Sequence, residues 1–323
     1  MNEQMLRGAR RLVAVCARVQ AGESALIVTD DGADPVLGLA LYEALREAGA
    51  KAALIKTPNG KSDSGEPDPK VTAAMGQADV VFAPVSVSIT HTDAVRNYCA
   101  ANGRVVALTQ WIPDMMAGGG IDADFAAIEP RVLRMAAIWD KGSSVHVQTK
   151  AGTDLVLDIT GRLGTPHAKT SIVRPGTFHP VPDIESPVSP VTAEGVIVCD
   201  ASIPYLGIGV LETPVRLEVK NGNVMKISGG WAADRVRDAW AAMNDPHVYN
   251  VAEIGIGMNP SCRLIGSMLE DEGVATTCHI GVGTSTTLGG TIKASCHYDF
   301  IMHDPTIAVD GEVVMAEGVL LVE

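Results

Sequence analysis

Two stretches near the C-terminal end place glycine at every second position, and they restrict the local backbone more than any other feature of the chain. They are Ala252-Glu253-Ile-Gly255-Ile-Gly257 and Cys278-His279-Ile-Gly281-Val-Gly283. In a strand, alternate residues share a face, so Glu253 lies on the face of Gly255 and Gly257, and His279 on that of Gly281 and Gly283. Glycine there removes side chains from one face and lets a ligand or another backbone approach closely. A third stretch, Cys296-His297-Tyr298-Asp299, sets His297 and Asp299 two apart, so on a strand they can bind one ion together. Imidazole nitrogen and carboxylate oxygen suit a divalent first-row metal better than a thiolate set would. A single His or Glu on a strand is usually structural, and H-x-D recurs by chance. Four such residues within about fifty positions, two of them beside Gly-x-Gly, support a metal site in the C-terminal half. Cys278 and Cys296 point away from the neighbouring His and read as core.

The 323 residues are enough to bury a large core and to form two domains. With 46% hydrophobic and 20% charged residues the chain is an ordinary globular protein, and with only 4% aromatics its core must be aliphatic. A net charge of −13 with no basic run disfavours nucleic acid and anionic membrane surfaces as partners. Six scattered cysteines show no C-x-x-C spacing and no disulfide-scaffold density. Neither a signal peptide nor an 18-residue apolar run is visible, so a cytoplasmic protein is expected.

The first 140 residues alternate short apolar strands with helical periods. Strands are expected at 25–29, 51–56, 79–84 and 104–108, and a helix from Pro35 to Ala48 ends at Gly49. That alternation predicts an α/β domain over 1–140, a parallel sheet with helices on its faces. The turn Asp30-Asp31-Gly32 is not G-x-G-x-x-G, so no dinucleotide fingerprint is present. From about 145 onward the pattern becomes that of short strands, with the hairpin signal Asn221-Gly222 and one helix from Ala232 to Met243. A β-rich α+β metal-binding domain is expected over 141–323. The stretch Pro175 to Pro190 reads as an extended surface loop.

Taken together, Asp183-Ile-Glu185, Ala252-Glu253-Ile-Gly, His279-Ile-Gly-Val-Gly and His297-Tyr-Asp-Phe resemble the metal motifs of the thermophilic aminopeptidase family, which includes aminopeptidases T and S. The resemblance covers most of the chain. It implies a cytoplasmic homodimer with an α/β N-terminal domain and a C-terminal domain holding one or two divalent ions, zinc, cobalt or manganese. It also implies ligand roles for Glu185, Glu253, His279, His297 and Asp299, with Glu253 a ligand or the general base. Two departures stand out. The chain is shorter than a typical member, and Thr286 occupies the place of the family's catalytic Tyr. The C-terminal half is also similar to the 2,5-dihydroxypyridine 5,6-dioxygenase family, of about this length, which implies iron(II) held by two His and one Asp. His297 and Asp299 match that pair, but Glu253 stands where that family has its other His, and that family lacks the His at 279.

On these grounds the first expectation is a metal-dependent hydrolase of a C–N bond in a small amide, cyclic amide or peptide-like molecule, working through metal-activated water. The second is iron(II)-dependent cleavage of a hydroxylated pyridine-like ring. The third is a non-catalytic small-molecule binder on the same fold. Further substrate-binding candidates are His91 in Ser88-Ile-Thr-His91-Thr, His179 in the Pro-rich stretch, Thr286 and Tyr298. His247 and His303 read as turn residues, and Gly118-Gly-Gly120 as a loop with no phosphate-binding context.

Overall fold

The computed structural model describes residues 1–58, 65–90 and 92–323. The chain divides into two compact units, Met1–Ala127 with Thr170–Asp183, and Ile128–Lys169 with Ile184–Glu323.

The first unit is α/β. Its helices are α1 (Glu3–Arg11), α2 (Pro35–Glu47), α3 (Pro69–Met75), α4 (Asp93–Ala100) and α5 (Pro113–Ala117). Strands β1 (Ser24–Asp30), β2 (Lys51–Thr57), β3 (Val80–Ala83) and β4 (Arg104–Ala107) pair in parallel in the order β2-β1-β3-β4. Starts follow local chemistry: Asp34, Asp68 and Thr92 accept N–H groups of α2, α3 and α4, and Pro opens α2 and α3. β3 and β4 are buried along their whole length, as central parallel strands with both faces covered must be.

The long helix α6 (Phe125–Trp139) leads into the second unit, where most strands lie. Two sheets form there. One holds β5 (Ser144–Gln148), β6 (Asp154–Asp158), β9 (Thr192–Cys199), β12 (Val215–Lys220) and β13 (Asn223–Ser228), with β17 (Thr306–Val309), β18 (Glu312–Ala316) and β19 (Val319–Leu320). Alternation is plain in it: Val145, Val147, Leu155 and Leu157 are buried, while Gln148, Asp154 and Val156 face out. The other sheet carries the site. Its order is β11-β10-β16-β15-β14-β8, from β8 (Glu185–Val188), β10 (Ser202–Ile203), β11 (Gly209–Val210), β14 (Val251–Gly257), β15 (Thr277–Gly283) and β16 (His297–His303), and every pairing is antiparallel. Two helices complete the unit, α7 (Gly230–Met243) and α8 (Met268–Asp271). No helix among the described residues is long and apolar enough to cross a membrane.

The Pro-rich stretch corrects the loop expected from its composition. Phe178–Pro180 forms β7, which pairs in parallel with β4 and closes the first sheet, and Glu185–Val188 is the buried edge strand β8. Edge strands tolerate proline because one side of the ladder needs no donor, which is why the composition misled.

Trp139 pins β8 from the end of α6. Its ring is fully buried and its Nε1 donates to the Ser186 carbonyl at 3.1 Å, one residue from Glu185. Trp139→Ala should cost about 3–5 kcal/mol, as for other buried aromatics. Urea unfolding of the metal-free protein checks this, and a loss under about 1 kcal/mol would show that β8 is held elsewhere.

Candidate metal centre

The antiparallel register decides where the ligating side chains lie. Directly opposed residues share a face, and here the pairs are Gly257 with Glu185, Gly255 with His279, Gly281 with both Glu253 and Asp299, and Gly283 with His297. Each of the five ligating residues therefore faces a glycine on a neighbouring strand. The space is used. A Cβ on Gly255 would sit 2.1 Å from His279 Nε2 and 2.8 Å from Glu185 Oε2, and one on Gly281 would sit 2.6 Å from His297 Nε2.

The five side chains converge as two three-ligand groups that share Glu253: Glu185, Glu253 and His279, and Glu253, His297 and Asp299. Glu253 divides its oxygens between them, Oε2 at 2.9 Å from His297 Nε2 and Oε1 at 3.8 Å from His279 Nε2. His279 Nε2 is 2.9 Å from Glu185 Oε2, and His297 Nε2 is 3.3 Å from Asp299 Oδ1. Within each group the donor atoms lie within 4.8 Å of one another. Ligands about 2.1 Å from one ion stand up to about 4.2 Å apart, so small side-chain adjustments suffice. Glu185 Oε2 and Asp299 Oδ1 are buried with only the neighbouring imidazoles to face, the condition of oxygens a cation would satisfy. The donor set fits one divalent ion in either group, or one in each with Glu253 between.

Neighbouring groups aim the ligands. His297 Nδ1 is 2.7 Å from the Thr284 carbonyl, which turns Nε2 toward the carboxylates. Asp299 Oδ2 accepts from the Tyr205 hydroxyl at 2.6 Å. His297 keeps 23% of its side chain exposed while Glu185, Glu253, His279 and Asp299 keep 1–6%, so the cluster opens to solvent beside His297.

The charges are strongly coupled. Burial disfavours the His279 imidazolium, but Glu185 and Glu253 outweigh it and raise its pKa well above the ordinary 6.5. His297 is raised likewise, burial being outweighed by Asp299 and Glu253. Glu253 is pulled down to about 2 in spite of its burial, through both histidines, and Asp299 is lowered chiefly by His297. Glu185 goes the other way, raised by burial and by the negative Glu253 against the pull of His279. Nearby His167 is held below its ordinary value by burial and by Lys169, against Glu253.

The remaining sequence candidates lie elsewhere. His179 is on β7 in the first unit, with Nδ1 3.5 Å from the Thr170 N–H. Thr286 is exposed in a short turn, its hydroxyl 3.4 Å from Thr284 Oγ1. Tyr298 points to the opposite strand face from His297 and Asp299 and stacks on Tyr205, ring centroids 4.8 Å apart. His91 lies outside the described residues. Sequence reasoning missed Tyr205, Glu272, His167 and Lys169. Only the acidic run Glu270-Asp271-Glu272 was a visible signal, since all three prove to be buried.

Comparisons with known proteins come down on one side. The family profile NicX: 2,5-dihydroxypyridine 5,6-dioxygenase matches residues 4–322. A 2,5-dihydroxypyridine 5,6-dioxygenase of Pseudomonas putida KT2440 is 27% identical over 205 residues, 58% of this chain and 57% of that protein. The match thus spans little more than half of that relative's length. Among solved structures, the 2,5-dihydroxypyridine dioxygenase from Pseudomonas putida KT2440 superposes with a TM-score of 0.84 at 21% identity, covering 100% of this chain and 98% of that one. AmpT from Thermus thermophilus superposes at 0.68 with 13% identity, covering 99% of each chain. Both structures show a shared α/β fold. The expectation of a C–N hydrolase is overturned, and with it the aminopeptidase-like description: the family match along the whole chain is to dioxygenases, and the peptidase likeness is one of fold alone. The His/carboxylate motifs misled because the same donors serve Lewis-acid and redox metals alike. An enzyme is supported; a hydrolase is not.

Two outcomes test the centre itself. Gly255→Ala should leave the protein folded but weaken Co(II) binding by at least about 10-fold, because His279 and Glu185 must both swing aside; chelator competition measures it. In the metal-free protein the raised histidines contribute stability fully below about pH 6.5, and that contribution is lost as pH rises through their folded-state values. Glu253, depressed to about 2, contributes above its ordinary 4.5 and loses that contribution as pH falls toward 2. Because ligation needs neutral imidazole, Co(II) affinity should climb between about pH 6 and 9, with about one proton released per imidazole engaged. Calorimetry in buffers of different ionisation enthalpy counts those protons, and an affinity flat with pH would contradict the charge arrangement.

Proposed function

The chain belongs to the 2,5-dihydroxypyridine 5,6-dioxygenase family, and from that premise we propose that it is an iron(II)-dependent dioxygenase opening a hydroxylated pyridine-like ring. The observation that carries the reading is the buried cluster of nitrogen and oxygen donors, with no thiolate, on the face of a sheet that the family profile matches throughout. His297, Asp299 and Glu253, one of the two three-residue groups, would hold the ion, while His279 and Glu185, in the group that shares Glu253, would stay outside its ligand set. Iron(II) held by these three residues would supply the redox chemistry that lets O₂ react with a hydroxylated ring. In the overall reaction one O₂ adds to one ring, a carbon–carbon bond breaks, and both oxygen atoms stay in the product, so no external reductant is needed.

This chain's residues have defined work in that reaction. His297, the exposed edge of the cluster, is where a substrate would enter. Burial of the other four residues keeps bulk water from the centre, so charge interactions there are stronger than at the surface. Glu185, held above the ordinary carboxylate value, is suited to take the proton that a ring hydroxyl gives up on binding and to return it to the opened product.

Fe(II)-loaded protein should consume one O₂ per dihydroxypyridine and yield a product heavier by the mass of one O₂, with label from ¹⁸O₂ in both positions. Losing an outer partner of a metal ligand costs about 10–100-fold, so His297→Ala and Asp299→Ala should each cost at least about 100-fold in turnover. Absence of O₂ uptake across a panel of hydroxylated pyridines, or equal turnover with zinc alone, would sink the reading.

A further inference from the structure

We propose that Tyr205 is a positioning residue that restricts Asp299 to offering the metal one oxygen, an inference that rests on Asp299 being a ligand. Tyr205 lies 94 residues from Asp299 in sequence, in the loop between β10 and β11. Its hydroxyl is 2.6 Å from Asp299 Oδ2 and 3.2 Å from Glu272 Oε1. A phenol has one proton to give. The shorter contact has the length of a charge-assisted O–H···O⁻ bond, so the proton belongs to Asp299. With Oδ2 engaged, Oδ1 is the oxygen left to ligate; it is buried and lies 3.3 Å from His297 Nε2.

The phenol is held where it is before any ion arrives. Tyr298, between His297 and Asp299 on β16, packs its ring against that of Tyr205, centroids 4.8 Å apart. The loop is fixed at both ends. Ser202 Oγ donates to Asp271 Oδ2 at 2.6 Å, and Arg235 Nη2 donates to the Leu206 carbonyl at 2.6 Å. Asp271, fully buried, also accepts the Ile265 N–H at 2.7 Å, and so ties β10 to the chain leading into α8 and Glu272. A ligand oriented this way loses less freedom when the ion binds, which is how outer partners raise affinity.

The test uses Co(II) binding to the full chain, read by chelator competition and by the visible d–d absorption. Tyr205→Phe keeps the ring stack and removes only the hydroxyl. It should weaken Co(II) affinity by about 10–100-fold and lower the absorption intensity as Asp299 turns to ligate through both oxygens, while the metal-free protein unfolds within a few degrees of wild type. Wild-type affinity together with a wild-type spectrum would overturn the proposal, since a packing role is preserved by Phe. Should Tyr205→Phe not fold, Glu272→Gln decides: a neutral acceptor competes less for the phenol proton, so binding should equal or exceed wild type, and a 10-fold loss, the lower end of an outer-partner effect, would overturn it. Asp299→Ala separates the two readings. If it binds Co(II) as tightly as wild type, the ligand assignment fails and the proposal with it; if it loses binding while Tyr205→Phe does not, only the proposal fails.

Discussion

The site depends on one constraint, the antiparallel register that sets a glycine across from every ligating side chain. Four neighbouring strands bring two imidazoles and three carboxylates onto one face, where ordinary side chains on the partner strands would already fill the space. Slipping β15 by one residue against β14 would turn His279 to the opposite face and place Ile280 and Val282 among the carboxylates. The buried branched residues between the glycines oppose that slip. Ile254, Ile256, Ile280 and Val282 fill the other face of the sheet, so apolar packing and metal chemistry demand the same register.

That is also why so much of the centre could be read from residues alone. Period-two alternation in Glu253–Gly257, His279–Gly283 and His297–Asp299 is local information, and the strand pairing only had to bring the three segments side by side. The parallel α/β sheet of the first unit was legible for a like reason, since capped helices and apolar strands alternate along the chain. Tyr205 was not legible. Its role comes from a contact across 94 residues, and nothing in Ser-Ile-Pro-Tyr-Leu-Gly distinguishes it from a turn tyrosine. The Pro-rich stretch failed in the opposite way, because its composition describes a loop while its place at two sheet edges makes two of its segments strands. Of the stretch Ser88 to Thr92 only His91 lies outside the described residues; Ser88 donates to Thr90 and Thr92 caps α4, as a hydrogen-bonded turn and helix cap would.

Function was the least legible level, and the reason is chemical. A His/carboxylate cluster on a glycine-lined face specifies hard and borderline donors, and zinc, cobalt, manganese and iron(II) all accept them. Whether such an ion polarises an amide or engages O₂ depends on the ion itself and on what the pocket excludes, neither of which is written in ligand spacing. The superpositions on AmpT and on the dioxygenase make the same point, because both run over nearly the whole chain while the two proteins carry different names. Fold alone does not choose between chemistries. The family match along residues 4–322 places the chain with the dioxygenases rather than the peptidases.

The charge arrangement gives the cluster a physical reason to be where it is. Five ionisable groups within a few ångströms, four of them nearly or fully buried, would be costly if left unpaired, since desolvation of each ion costs several kcal/mol even after relaxation. In the metal-free chain the two imidazoles meet that cost by holding protons against the carboxylates, which is what raises His279 and His297 and depresses Glu253. A divalent cation replaces those protons with a charge that every donor faces at once. Metal binding to these residues would therefore release protons. Glu185 is the member that this exchange leaves least settled. It is raised where the other two carboxylates, Glu253 and Asp299, are lowered.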